Sequence, residues 1–319
     1  MGGLVKMKPT ERSYEEQYME IVEDIYNHGQ LEENTRTHKC TKRIPHQRIQ
    51  VDLAKEFPIL KSKKVAFKTA TDEIMWIMQR QSNNIKDINS HIWDEWADPE
   101  TGEIGAAYGA IVKQYHQIDT LIDKIKNDSS DRGMVINLWD LSQLHLMRLR
   151  PCCLMSIWSV IDGRLNCHLI QRSGDMMLGV AFNTTQYASL LLMLAQATGT
   201  KPGLLTHDIT DAHIYDDQFE NTEVQIKRWH FLQENKNCLT YALSEDSEEA
   251  KELKISPDIA NSLTRIIRCK PQVVLNPSIS DFYDFTLEDI AIKDYFNMGE
   301  LKFKVAVGDM YAGKNKFNK

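Results

Sequence analysis

The chain has 319 residues, 42% of them hydrophobic and 26% charged, with only 15 Gly and 9 Pro. That apolar fraction can bury a real core, which excludes a disordered, collagen-like or low-complexity protein. The formal net charge of −7, from 38 basic and 45 acidic residues, argues against general nucleic-acid binding but leaves room for a small anion held by placed arginines.

In chain order, Ser13 to His28 gives the clearest local signal. Ser13 and Glu16 form a capping box, Tyr14, Tyr18, Ile21, Val22 and Ile25 share one helical face, and Gly29 stops the helix. The basic stretch Arg36 to Arg48 has no long apolar period and reads as a loop. Amphipathic helices are predicted over Val65–Met78 and His116–Lys126, followed by a polar break at 127–131. Met134–Leu138 and Cys153–Ile161 are strand-length apolar runs. Asp162-Gly163 is a hairpin turn, and Leu165–Arg172 is the returning strand. Thr184–Thr198 reads as a central helix, apolar nearly all round and closed by Gly199. Leu204–Ile209 reads as another strand.

Beyond Phe231 the pattern changes. Residues 231–270, with the acidic run 244–252, read as an insertion holding a helix near Pro257–Ile267. Val273–Asn276, Asp284–Leu287 and Leu301–Val307 are predicted as short strands of the main domain. The expectation is therefore one α/β (α+β) domain over 1–307, with residues 308–319 as a flexible tail. No run of 18 apolar residues suggests a membrane span, and no signal-like stretch opens the chain, so a cytoplasmic protein is expected. Six thinly spread cysteines read as free thiols. No Cys or His spacing suggests a metal site.

Two clusters carry chemistry. Pro151-Cys152-Cys153 opens a predicted strand with Arg148 and Arg150 before it and Arg172 on the paired strand. Cations of that kind raise the thiolate fraction of a nearby thiol. Adjacent cysteines on a strand face opposite ways, and the pattern alone does not say which one faces the site. The second cluster is the run from Gln171 to Asn183. Arg172 and Ser173 suit an oxyanion such as phosphate. Asn183 is either the N-cap of the apolar helix or an amide matched to a pyrimidine edge.

The run Q-R-S-G-D-M-M-L-G-V-A-F-N resembles the hallmark of thymidylate synthases, with Pro-Cys twenty residues before the Arg. The likeness extends to Ile92-Trp93-Asp94-Glu95-Trp96, to Asp211-Ala212-His213-Ile214-Tyr215 and to the helix around Glu73. It also takes in Arg36, Asp281-Phe282-Tyr283-Asp284-Phe285 and Val305-Ala306-Val307. The resemblance implies a large twisted mixed β-sheet flanked by helices, packed against a partner subunit in a homodimer. It implies methylation of C5 of dUMP, with 5,10-methylenetetrahydrofolate as co-substrate and no metal. In that reading Cys152 is the nucleophile, Glu73 relays protons and Tyr108 positions the water that removes the C5 proton. Arg36, Arg172 and Ser173 hold the phosphate, with Arg132 reaching over from the partner. Asn183 reads uracil, and His213 and Tyr215 bind the ribose. Trp93 and Asp175, the latter also placed among the catalytic groups, contact the folate, with Lys63 as a further folate candidate.

Departures from the family pattern are specific. The second arginine of its S-R-R motif is Gly133, its P-F-N proline is Ala181, the Gly of its G-D is Thr210, and its W-N is Trp139-Asp140. Cys153 stands where many members have His, and twelve residues follow Val307, the family's usual terminus. That altered end keeps a second reading in view, a dUMP hydroxymethylase in which water captures the methylene intermediate. A remote third is a non-catalytic regulatory relative.

Overall fold

The computed structural model describes residues 12–241, 243–244 and 247–308. Its centre is a seven-stranded mixed sheet. The strands are β1 (Gln30–Asn34), β2 (Lys39–Asp52), β3 (Val135–Asn137), β4 (Cys153–Ile161), β5 (Arg164–Gln171), β6 (Gly174–Asp175) and β7 (Lys201–Tyr215). They run in the order β1-β2-β7-β5-β4-β3, with β6 also paired to β7. Pairing is antiparallel except for β5 and β6 on β7. The chain returns from β5 to its parallel neighbour through a long helix, α5 (Ala181–Thr198), as a parallel pair requires.

Helix α1 (Tyr14–His28) starts where the sequence places it. Ser13 Oγ accepts from Glu16 N–H, and the Glu16 side chain accepts from Ser13 N–H at 2.9 Å. Such a cap is worth about 1 kcal/mol. With α5 it packs on one sheet face, burying Tyr18, Val22, Ile49, Leu169, Leu190 and Leu205. Helix α2 (Phe67–Met78) lies against α5, and α3 (Gly109–Gln114) and α4 (Gln117–Asn127) follow it. Residues Met176–Thr198 are long and apolar enough to cross a membrane, yet they are mostly buried inside the molecule as its core helix. The opposite sheet face presents half-buried Met155, Ile157, Ile170, Thr206 and Asp208.

Several expectations need correction. Arg36–Arg48 is not a loop. After a turn at residues 35–38 it enters β2, whose backbone pairs with both β1 and β7, so its place in the sheet does not depend on an apolar period. The strand expected at Leu204–Ile209 runs on through Tyr215 and carries His213 with it. Asn183 is not the N-cap of α5, because a π-turn at Met176–Val180 leads directly into a helix that begins at Ala181. Asp284–Leu287 forms no strand. Asp281 and Thr286 cap short 3-10 turns there. Leu301–Val307 is irregular, and the carbonyls of Lys302 and Lys304 accept from the side chains of Asn221 and Gln218. Val273–Asn276 is a strand, β8 (Gln272–Leu275), but it pairs with β9 (Ile290–Lys293) in a separate two-stranded sheet.

Helix α6 (Phe219–Glu234) leads into short helices at Glu248–Glu252, Pro257–Ala260 and Leu263–Arg268. Phe231, Leu232, Leu253, Leu263, Ile266 and Met298 form a second apolar cluster there. Fully buried Arg228 ties it to the body, donating to the carbonyls of Leu253, Lys254, Ser62 and Gly299. The tail beyond Gly308 and the acidic residues Glu245 and Asp246 lie outside the described residues.

Candidate active site

A cavity of about 490 Å³ opens where β4, β5, the start of α5, the end of β7 and the C-terminal segment converge. Its size is in the range of small-molecule sites. Arg36, Glu73, Trp93, Tyr108, Cys152, Ser173, Asp175, Asn183, His213 and Tyr215 all line it. A larger cleft of about 780 Å³ lies between the start of α1 and residues 267–272, and it holds none of these side chains.

Cys152 sits just before β4. Its backbone N–H donates to Tyr108 Oη at 3.4 Å and its carbonyl accepts from Arg172 N–H at 2.9 Å. Burial pushes its thiol up, while the charges of Arg172 and Arg36 pull it down. Cys153 also borders the cavity, but its Sγ is turned to Gln171 Oε1 at 3.5 Å and its thiol is pushed far up by burial. Tyr108 stands before α3 at φ 50° and ψ −109°, a conformation that costs on the order of 1–3 kcal/mol for a residue with a side chain. Strain of that kind gathers at functional sites.

Glu73 projects from α2 and is only 5% exposed. Burial raises its carboxyl from 4.5 to about 7, against the opposing dipoles of Gln186 and Trp93. Trp93 packs edge-on against Tyr108, with ring centroids 5.1 Å apart, and against Trp96 at 5.7 Å. Glu73 Oε2, Trp93 Nε1 and Gln186 Nε2 are buried and face one another without a hydrogen bond of good geometry among the described residues. Three such atoms around one cavity point to a polar ligand, since a buried unsatisfied group is costly.

The remaining groups are held by local structure. Asp175 Oδ1 accepts from Met177 and Leu178 N–H and so fixes the π-turn, while Oδ2 accepts from Gln218 Nε2 at 3.0 Å. Asn183 Nδ2 donates to Gln186 Oε1 at 2.9 Å. His213 and Tyr215, two apart on β7, meet edge to face at 5.3 Å. Arg36 lies on the β1–β2 turn, where Asn34 Oδ1 accepts from its backbone N–H.

Three residues expected at the site do not line the cavity. Arg172 turns back, its Nε donating to Pro151 O at 2.9 Å and its Nη2 to Arg150 O at 3.0 Å, with its guanidinium over the Trp139 ring. Arg132 is exposed on the α4–β3 loop. Lys63 is buried below the π-turn, bonded to Met177 O, and burial lowers its amine from 10.5 to about 7 against the attraction of Asp175. Sequence reading missed Gln186, Phe182, Tyr187, Val305 and Ala306 in the lining. Gln186 had a signal, because it sits three residues after Asn183 and so shares its helical face.

A family model described as thymidylate synthase matches residues 16–259. The chain is 44% identical over 297 residues to a thymidylate synthase of Clostridium beijerinckii, covering 92% of this chain and 99% of that one. It is 34% identical over 314 residues to thymidylate synthase 1 of Bacillus subtilis strain 168, with the same coverage. The solved structure of the thermostable thymidylate synthase A from Bacillus subtilis superposes with a TM-score of 0.75 at 31% identity, over 92% of this chain and 99% of that chain. With a mixed sheet of this topology, a cysteine beside a buried carboxyl and tryptophan, and these likenesses over nearly its whole length, the chain belongs to the thymidylate synthase family.

Proposed function

We propose that this protein converts dUMP to dTMP, with Cys152 as nucleophile and 5,10-methylenetetrahydrofolate as co-substrate. The observation that carries the reading is the convergence on one cavity of a thiol, a buried carboxyl near neutral pKa and an asparagine amide. C5 of uracil is a poor nucleophile. Addition of the Cys152 thiolate to C6 breaks the ring's conjugation and leaves C5 as an enolate carbon. Arg172 and Arg36 favour the thiolate against its burial. Bound 5,10-methylenetetrahydrofolate supplies the one-carbon unit and then a hydride.

Glu73, with a carboxyl poised near pH 7, exchanges protons with the uracil carbonyl through water. Tyr108, within reach of the Cys152 backbone, orders the water that takes the C5 proton. Asn183 reads the base edge. For that its amide gives up or shares its bond to Gln186 Oε1. Ser173 and Arg36 meet the phosphate, while His213 and Tyr215 meet the ribose. The indoles of Trp93 and Trp96 give the folate an apolar wall, and Trp93 shields the exocyclic methylene on C5 from water until hydride reaches it. Lys63 holds the π-turn through Met177 O and does not itself line the cavity. The sheet's open face packs on a second copy, and exposed Arg132 completes the partner's phosphate site.

Release of tritium from C5 of labelled dUMP tests the shared chemistry. The account expects release that requires the folate and is lost in Cys152→Ser. No release from the wild type, or equal release from the variant, would refute it.

A further inference from the structure

Beside the cavity, which Gln171 itself borders, lies a buried polar relay to which the mechanism gives no role. His207, on β7 opposite Leu169, is fully buried. Its Nε2 is 2.7 Å from Gln171 Oε1, and Gln171 Nε2 donates to Ser173 O at 2.9 Å. Its Nδ1 is 3.0 Å from Thr184 Oγ1. Burial lowers the imidazole from 6.5 to about 3, so it is neutral under working conditions.

These contacts fix the tautomer. Gln171 must point its nitrogen at the Ser173 carbonyl, so its oxygen faces the imidazole and needs a proton there. Nε2 therefore carries the hydrogen, and Nδ1 faces the Thr184 hydroxyl, whose single proton is shared between Nδ1 and Val180 O at 2.8 Å. The ring thus joins two segments that meet opposite ends of the nucleotide. Gln171 and Ser173 flank Arg172 in the phosphate turn, and Thr184 follows Asn183 at the base-reading start of α5.

We propose that His207 is a positioning residue for nucleotide binding. Through Gln171 it holds the Arg172–Ser173 turn at a set distance from Asn183, so that phosphate and uracil are engaged together. The inference rests on the proposed dUMP reading. An apolar ring of similar size leaves Gln171 Oε1 only the weak thiol donor of Cys153 and frees the glutamine to swing away from Ser173.

The test compares His207→Phe, His207→Gln and Gln171→Leu with the wild type, using calorimetric dUMP and deoxyuridine binding together with steady-state kinetics. His207→Phe is expected to weaken dUMP binding and raise its KM by about tenfold, ~1.4 kcal/mol. Deoxyuridine affinity, which has no phosphate to lose, and the folate KM should change far less. His207→Gln can still donate to Gln171 and should recover most of the loss. Gln171→Leu should reproduce it, and the double variant His207→Phe/Gln171→Leu should be no worse than either single change. Unchanged dUMP affinity in His207→Phe, equal losses for dUMP and deoxyuridine, or additive losses would overturn the inference. If His207→Phe does not fold, Gln171→Leu with wild-type dUMP affinity would overturn it equally. Failure of the wild type to bind dUMP at all would instead remove the functional reading beneath it.

Discussion

Glu73→Gln should make the protein more stable at alkaline pH while removing most of its activity. The folded chain holds the Glu73 proton more tightly than the unfolded chain, because burial raises the carboxyl from 4.5 to about 7. Stability from that group is therefore intact below pH 4.5 and is lost as pH rises through 7. At about 1.4 kcal/mol per pH unit, the full loss is about 3 kcal/mol, and most of it falls between pH 5 and pH 8. Glutamine has the shape of the neutral acid and carries no charge to bury. Urea denaturation of both proteins at pH 5 and pH 8, at one chain concentration, should show the variant gaining about 2–3 kcal/mol on the wild type between the two conditions. Lys63 titrates over the upper part of this range in the opposite sense, since its folded-state pKa is depressed to about 7 and the stability it contributes is lost as pH falls. Lys63 is common to both proteins and cancels in the comparison. A variant whose stability difference from the wild type is the same at both pH values would refute the reasoning, because the carboxyl would then not be held protonated by burial.

Cys152→Ser should abolish turnover, whereas Cys153→Ser should keep most of it, because the Cys153 thiol is turned to Gln171; comparable losses in two folded variants would contradict the assignment. The asparagine amide at Asn183 suits the O4 acceptor and N3 donor of uracil, and cytosine reverses both. C5 tritium release should therefore favour dUMP over dCMP by at least about 100-fold, and equal rates would show that Asn183 does not read the base. Sedimentation at micromolar concentration should give twice the chain mass, and Arg132→Ala should weaken dUMP binding without dissociating the pair. A fully active monomer would remove the shared-site proposal.

The sequence made legible those parts of the fold that rest on local chemistry. Ser13 and Glu16 marked a capped helix, and Asp162-Gly163 marked a hairpin whose two residues both adopt positive φ. The strand Cys153–Ile161 was legible to the residue from its largely apolar run, broken only by Ser156 and Ser159. What escaped depends on partners distant in the chain. Lys39–Asp52 becomes a strand because β1 and β7 satisfy its backbone, and no side-chain pattern records that. The 301–307 segment is held by side chains of Gln218 and Asn221, so its apolar residues never enter a ladder. At the site, motif spacing led to Glu73, Trp93, Cys152 and Asn183, which do meet in one cavity. It could not place Lys63 below the π-turn or turn Arg172 back onto the Pro151 carbonyl, because both outcomes depend on tertiary packing.

The central claim is that the one-carbon unit reaches C5 of dUMP and is then reduced there. Its most direct test follows dihydrofolate by near-ultraviolet absorbance while the nucleotide product is identified by mass. The account predicts one dihydrofolate for each dTMP formed. Turnover of dUMP that releases unoxidised tetrahydrofolate and a product one oxygen heavier than dTMP would contradict it.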